Sequence, residues 1–176
     1  MKSIKLAALA VALACGSGAT LAAGPNDAQI AAIVVTANQV DIDAGQWAQA
    51  HTSTPEVKAF AALMVTDHSA VNKSATDLAG RLHLAPEDNP TAQSLKKGGE
   101  DNIAHLKTLS GAALDKAYVD HEVAYHEAVL AALDGTLIPN ASNADLKALM
   151  VKVRPAFVAH LEHARHLQAA LGKSGG

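Results

Sequence analysis

Three histidines and two carboxylates stand where this chain otherwise repeats alanine, leucine and valine: Asp41, His68, Glu122, His126 and His160. His68 is the clearest case. Val57, Phe60/Ala61, Met64, His68, Val71, Ala75, Leu78 and Leu82 recur at three and four residues, the period of one helix face. His68 is the only ionisable member of that stripe. Asp41, His126 and His160 hold equivalent places on three other apolar stripes. Glu122 lies one helical turn before His126, so both can face inward. A buried imidazole is pushed towards its neutral form, which is the form that ligates metal. Left unpaired, each such group costs about 1–3 kcal/mol, so they must meet one another, water or an ion. Two or three imidazoles with a carboxylate suit zinc, copper(II), iron or manganese, and ligand type alone does not choose among them. The competing reading is a hydrogen-bonded polar core without metal.

Other chemistries lack their residues. No Glu is followed three positions later by His, the spacing that carboxylate-bridged di-iron bundles use on two helices. There is no His-Glu-x-x-His, no glycine-rich phosphate loop and no nucleophile elbow. The remaining histidines rank lower. His163 flanks His160, His166 drifts towards solvent, and His121 is one residue off its stripe. His51, His83 and His105 fall near helix ends or in a crossover. Met64 could meet copper but fits a core position.

The elements that must position these groups read as helices. Alanine is abundant, aromatics are 3 % of the chain, and there is no alternating β-branched run, so an all-α domain is expected. Helix 1 should run from Asn26 or Asp27 to Ala50. Thr54 and Pro55 then start a second helix ending near His83. Residues 91–109 read as a weaker helical crossover interrupted by Gly98-Gly99. A third long helix should begin between Gly111 and Asp115 and stop at Asp134-Gly135. A fourth should run from an Asn143 cap to Leu171, kinked at Pro155, with Gly172 closing it and residues 173–176 a frayed tail. Counting from the turns places Asp41 and His68 about 6 Å apart along the axis. The same count sets His126 and His160 further out of register, with Glu122 the better match to His160.

The start of the chain has the pattern of an export signal: Lys2 and Lys5, an apolar run over Leu6–Ala14, and Leu21-Ala22-Ala23 as a cleavage site. Residues 1–23 are therefore expected to be a signal peptide, with a single domain over residues 24–172 and a periplasmic or secreted location. The formal charge of -3 would become -5 on loss of the two lysines, which argues against a nucleic-acid or anionic-membrane surface. Cys15 is the only cysteine. The alternative is a lipoprotein anchored there, although Ala12-Leu13-Ala14 is a poor lipobox. No later run is long enough to span a bilayer.

The strings Val57-Lys58-Ala59-Phe60-Ala61, Met64-Val65-Thr66-Asp67-His68, Leu109-Ser110-Gly111 through Asp115 to Tyr118-Val119, Tyr125-His126 and Pro155 to Leu161 resemble the bacterial exported domain of unknown function 4142. That family is labelled an outer-membrane or periplasmic protein and grouped with ferritin-like four-helix bundles. The resemblance spans roughly Ala28 to Leu171. It implies antiparallel helix pairs joined by a long crossover containing a short helix, and it matches the family's acidic position to Asp41 and its histidines to His68, His126 and His160. Asp41 replaces a more usual glutamate, Leu114 a phenylalanine and Arg154 a leucine. The outer-membrane label fits badly with a chain that offers no barrel strands.

The leading functional expectation is a periplasmic bundle holding one copper, zinc or iron ion through His68, His126, His160 and Asp41 or Glu122, for metal or envelope-stress handling. The alternative is a non-catalytic structural or interaction domain with a hydrogen-bonded polar core. An enzyme using the same groups for acid–base work ranks last. The protein partner and any homo-oligomer are left open. Convergence of the imidazole nitrogens separates the first two readings.

Overall fold

The computed structural model describes residues 24–174, so the signal-peptide and Cys15 expectations lie outside the described residues, as do Gly175 and Gly176. Among the described residues the chain is helical throughout and has no strand. α1 (Asp27–His51) starts at a capping box, with the Asn26 side chain accepting from the Gln29 amide and the Gln29 side chain from the Asn26 amide. After a three-residue link, α2 (Pro55–Arg81) begins with proline in its first turn. So short a link between two long helices packed together makes them antiparallel. α3 (Pro90–Leu106) lies against α1, α4 (Gly111–Ala132) packs on α6 (Ala144–Ser174), and α6 also meets α2. No described helix is long and apolar enough to cross a membrane.

Two expectations about interruptions are corrected. Gly98-Gly99 does not break α3, which runs unbroken through both residues. Gly99 is buried against α1, where an added Cβ would sit 2.8–3.0 Å from the Val40 methyls. Its missing side chain allows the close approach of two helices. Asp134-Gly135 is likewise not a stop. The helix continues through a π-helical turn (Leu133–Leu137) into the short α5 (Ile138–Asn140) before turning at residues 141–143. Leu133 and Leu137 are buried in the core, which anchors the turn. Arg154 clamps Asp134 across from α6 with two hydrogen bonds of 2.6 and 2.7 Å. Asn143 caps α6 as expected, accepting from the Leu146 amide, and Pro155 stands inside that helix. α6 extends to Ser174, beyond Gly172.

The apolar core has two parts. One is built on Ile30, Ile33, Leu78, Leu133, Met150 and Phe157, the other on Ala48, Phe60, Met64, Leu114, Tyr118 and Leu167. Along each of α1, α2, α4 and α6, a polar residue separates the stretch that enters one part from the stretch that enters the other. A buried polar layer thus lies between two apolar ones.

Asp115 ties the far end of the second part together. Its carboxylate accepts from the hydroxyls of both Thr52 and Thr54, linking α4 to the α1–α2 turn. It is 1 % exposed, so truncation leaves two hydroxyls facing a hole. Asp115→Ala is expected to lower unfolding free energy by about 2–4 kcal/mol. Asp115→Asn should cost less, both read by urea denaturation.

Candidate metal centre

Each of the four longest helices supplies one residue or a pair to the polar layer: Asp41 from α1, His68 from α2, Glu122 and His126 from α4, and His160 from α6. All five are 3 % exposed or less. One ring nitrogen of each of His68, His126 and His160 lies within 4.8 Å of the other two. The ring centroids are 5.3–5.6 Å apart in tilted and edge-on arrangements. Phe157 stacks on His68 at 5.0 Å and closes one side of the group.

The tautomers follow from what the outer nitrogens touch. Asn38 donates its amide to the Val34 carbonyl at 2.8 Å, which turns its oxygen towards His68. The His68 Nδ1–H then donates to that oxygen at 2.7 Å. His126 donates from Nδ1 to the Glu122 carbonyl at 3.0 Å. His160 donates from Nε2 to the Asp67 carboxylate at 2.9 Å. The other nitrogens, His68 Nε2, His126 Nε2 and His160 Nδ1, are buried and have no hydrogen-bond partner. Each therefore presents a lone pair, held in orientation by an outer hydrogen bond, which is how metal-binding histidines are usually positioned.

The carboxylates adjoin this group. Asp41 Oδ2 is 3.3 Å from His68 Nε2 and 4.0 Å from His126 Nε2, and Glu122 Oε2 is 3.5 Å from His126 Nδ1. Asp41, Glu122 and His126 form a second set of mutually close donor atoms, sharing His126 with the first. The five residues therefore form one cluster, in which Asp41 adjoins His68 and His126, and Glu122 adjoins His126.

Burial, reinforced by the charge of Glu122, holds the Asp41 carboxyl well above the usual carboxylate range. Burial pushes Glu122 up to about 7, with an interaction with Asp41 offsetting part of the rise. Burial, with His126 and His160 close by, takes His68 down to about 2. Burial also lowers His160, against the pull of Asp67. Three imidazole lone pairs and two carboxyls face one another, and a cation could take the place of the protons that burial keeps on the carboxyls. Nitrogen and oxygen donors of these types fit zinc, copper(II) or iron.

The register expectation is corrected. His126 meets His160 directly, and Glu122 does not pair with His160. The reason is the π-helical turn. Counted from Asp134-Gly135, His126 is too near the loop. With the helix carried on to Asn140, His126 stands fourteen residues before its end and His160 sixteen after Ala144, so the two share a level. The side chains of Asp41 and His68 meet, Oδ2 to Nε2 at 3.3 Å.

Several supporting residues escaped the sequence reading. Asn38 has a signal in hindsight: it precedes Asp41 by three residues and shares its face. Asp67, which lies off the apolar stripe beside His68, reaches across to His160 on α6. His121, 25 % exposed, places Nδ1 4.0 Å from Glu122 Oε1 and stacks on Tyr125. His163 and His166 are exposed, the former edge-on to Phe60, and His51, His83 and His105 are exposed at or near helix ends. Met64 is fully buried in the apolar core.

The family model for domain of unknown function 4142 matches residues 12–167, and the chain belongs to that family. No curated protein and no solved structure gives a significant match.

The raised Glu122 predicts a pH effect of defined sign. Between about pH 7 and 4.5 its folded carboxyl holds a proton that the unfolded chain releases, so lowering pH through this window adds stability. His68 acts oppositely: the unfolded imidazole protonates below 6.5 while the folded one stays neutral to about 2, so stability falls with pH. In metal-free protein the two effects oppose each other. Glu122→Gln, measured by urea unfolding, should therefore lose stability more steeply than wild type as pH drops from 7 to 4.5. The slopes should differ by at most about 1.4 kcal/mol per pH unit.

Proposed function

We propose that this member of the family is an exported protein whose ferritin-like four-helix bundle binds one transition-metal ion, copper, zinc or iron. His68, His126 and His160 are the nitrogen ligands, Asp41 is the adjacent oxygen donor, and Glu122 is the carboxylate beside His126. The role is metal or envelope-stress handling in the periplasm rather than turnover. One observation carries the reading: three buried imidazoles each bring a ring nitrogen within 4.8 Å of the other two, and each has one nitrogen without a hydrogen-bond partner while the opposite one is held by Asn38, the Glu122 carbonyl or Asp67. The pattern of the first twenty-three residues supports export.

A second reading, a non-catalytic scaffold with a polar core, draws on the ring packing. Neutral imidazoles edge-on to one another, with Phe157 stacked on His68 and edge-on to His126 at centroid separations of 5.0 and 6.3 Å, also make a close-packed layer. Such layers can specify one helix arrangement over others.

Titration of untagged protein with copper(II), zinc and iron(II), followed by elemental analysis, separates the two. One ion per chain is expected, lost in His68→Ala, His126→Ala and His160→Ala. Asn38→Ala and Asp67→Ala should weaken affinity by about 10–100-fold through the released rings. A folded wild type that binds no metal, with the histidine variants merely less stable, would overturn the metal reading and leave the scaffold.

A further inference from the structure

A cavity of about 740 Å³ leads from the surface to the polar layer. Its walls are apolar: Ile33 from α1, Val129 and Leu133 from α4 and the π-helical turn, and Met150, Val153 and Phe157 from α6. Thr91, Ala128 and Thr136, all exposed, lie at its mouth. Asp41 and His68, both 2 % exposed, lie at its inner end. Asp41 Oδ1 and His68 Nε2 are buried polar atoms without a hydrogen-bond partner. The other polar groups near them are committed. Asn38 is engaged with His68 and Val34, and the Tyr125 hydroxyl donates to the Ala37 carbonyl at 3.0 Å.

This size and lining are those of a small-molecule site: apolar walls with a few fixed polar atoms at one end. The lining also selects the head group. It contains an aspartate and neither lysine nor arginine, so an anionic head has no partner there. With its Nδ1 proton given to Asn38, His68 Nε2 accepts a hydrogen bond, so the complementary head donates one.

We propose that this cavity binds an uncharged amphiphile, an alkyl or aryl body with a hydroxyl head that donates to His68 Nε2 beside Asp41. The apolar body lies along the cavity walls, and the hydroxyl satisfies the unpartnered ring nitrogen at the floor. The inference goes beyond the metal reading and stands without it, because the ligand is offered to protein stripped of metal.

The test is calorimetric titration of chelator-treated protein with 1-octanol, 1-butanol, octyl methyl ether and octanoate. Each methylene buried adds about fourfold in affinity. 1-Octanol should therefore bind one per chain, on the order of 100-fold tighter than 1-butanol. Octyl methyl ether, which cannot donate, and octanoate, which brings charge, should each bind at least about tenfold more weakly, the loss expected for one unmatched buried polar group. Val153→Trp, which fills the cavity, should abolish octanol binding while leaving metal uptake intact. Val129→Phe serves the same purpose if the tryptophan variant does not fold. Absence of saturable octanol binding to the folded protein, or binding unchanged in a folded cavity-filling variant, would overturn the site. Equal binding of the ether would overturn the role of the hydroxyl. Metal uptake is measured separately on the same preparations, so failure of either proposal leaves the other readable.

Discussion

The structure is organised by the need to satisfy a layer of buried polar atoms between two apolar clusters. Hydrophobic burial alone would favour leucine at positions 41, 68, 122, 126 and 160. The chain instead places five groups there that are costly to desolvate, and surrounds them with residues that fix their orientation. Asn38 is itself held by the Val34 carbonyl, so the ring of His68 has one tautomer and one direction. Asp67, partly exposed, accepts from His160. The helix backbone performs the same service for His126. The result is an arrangement in which lone pairs face inward and protons face outward.

Much of this was legible in the sequence because helical periodicity is a strong signal over long segments. The apolar stripes located Asp41, His68, His126 and His160, and the four longest helices lie where the stripes and caps placed them. What was not legible concerned three-dimensional register. Depth along a helix axis was estimated by counting from turns, and the count failed where Asp134-Gly135 resembled a terminator but was carried through by buried Leu133 and Leu137. Local propensity at those two positions was overridden by packing. Gly98-Gly99 failed for a related reason, since Gly99 serves an interhelical contact with Val40 rather than a turn. Partners such as Asp67 were invisible because a side chain's reach to another helix leaves no periodic trace.

The π-helical turn connects fold and site more directly than any other element. It sits in the wall of the apolar cavity, sets the length of the α4 segment and hence the level of His126, and is fastened to α6 by the Arg154–Asp134 pair. That pair is exposed and worth little as an isolated ion pair. Its place at the point where the helix departs from α geometry gives it a positional rather than an energetic part.

The layer draws on residues 41, 68, 126 and 160, which are far apart along the chain but share one level in space. A single ion joined to three or four of them would act as a cross-link closing nested loops of tens of residues. Loop closure of that length removes a large share of the freedom of an unfolded chain while demanding nothing further of the folded one. The benefit of such a cross-link grows only slowly with loop size, so the wide spacing of the ligands adds little to it. What the spacing does confer is topological: no helix can leave the assembly by itself without opening a loop. A centre of this form couples the departure of each of the four longest helices to that of the other three.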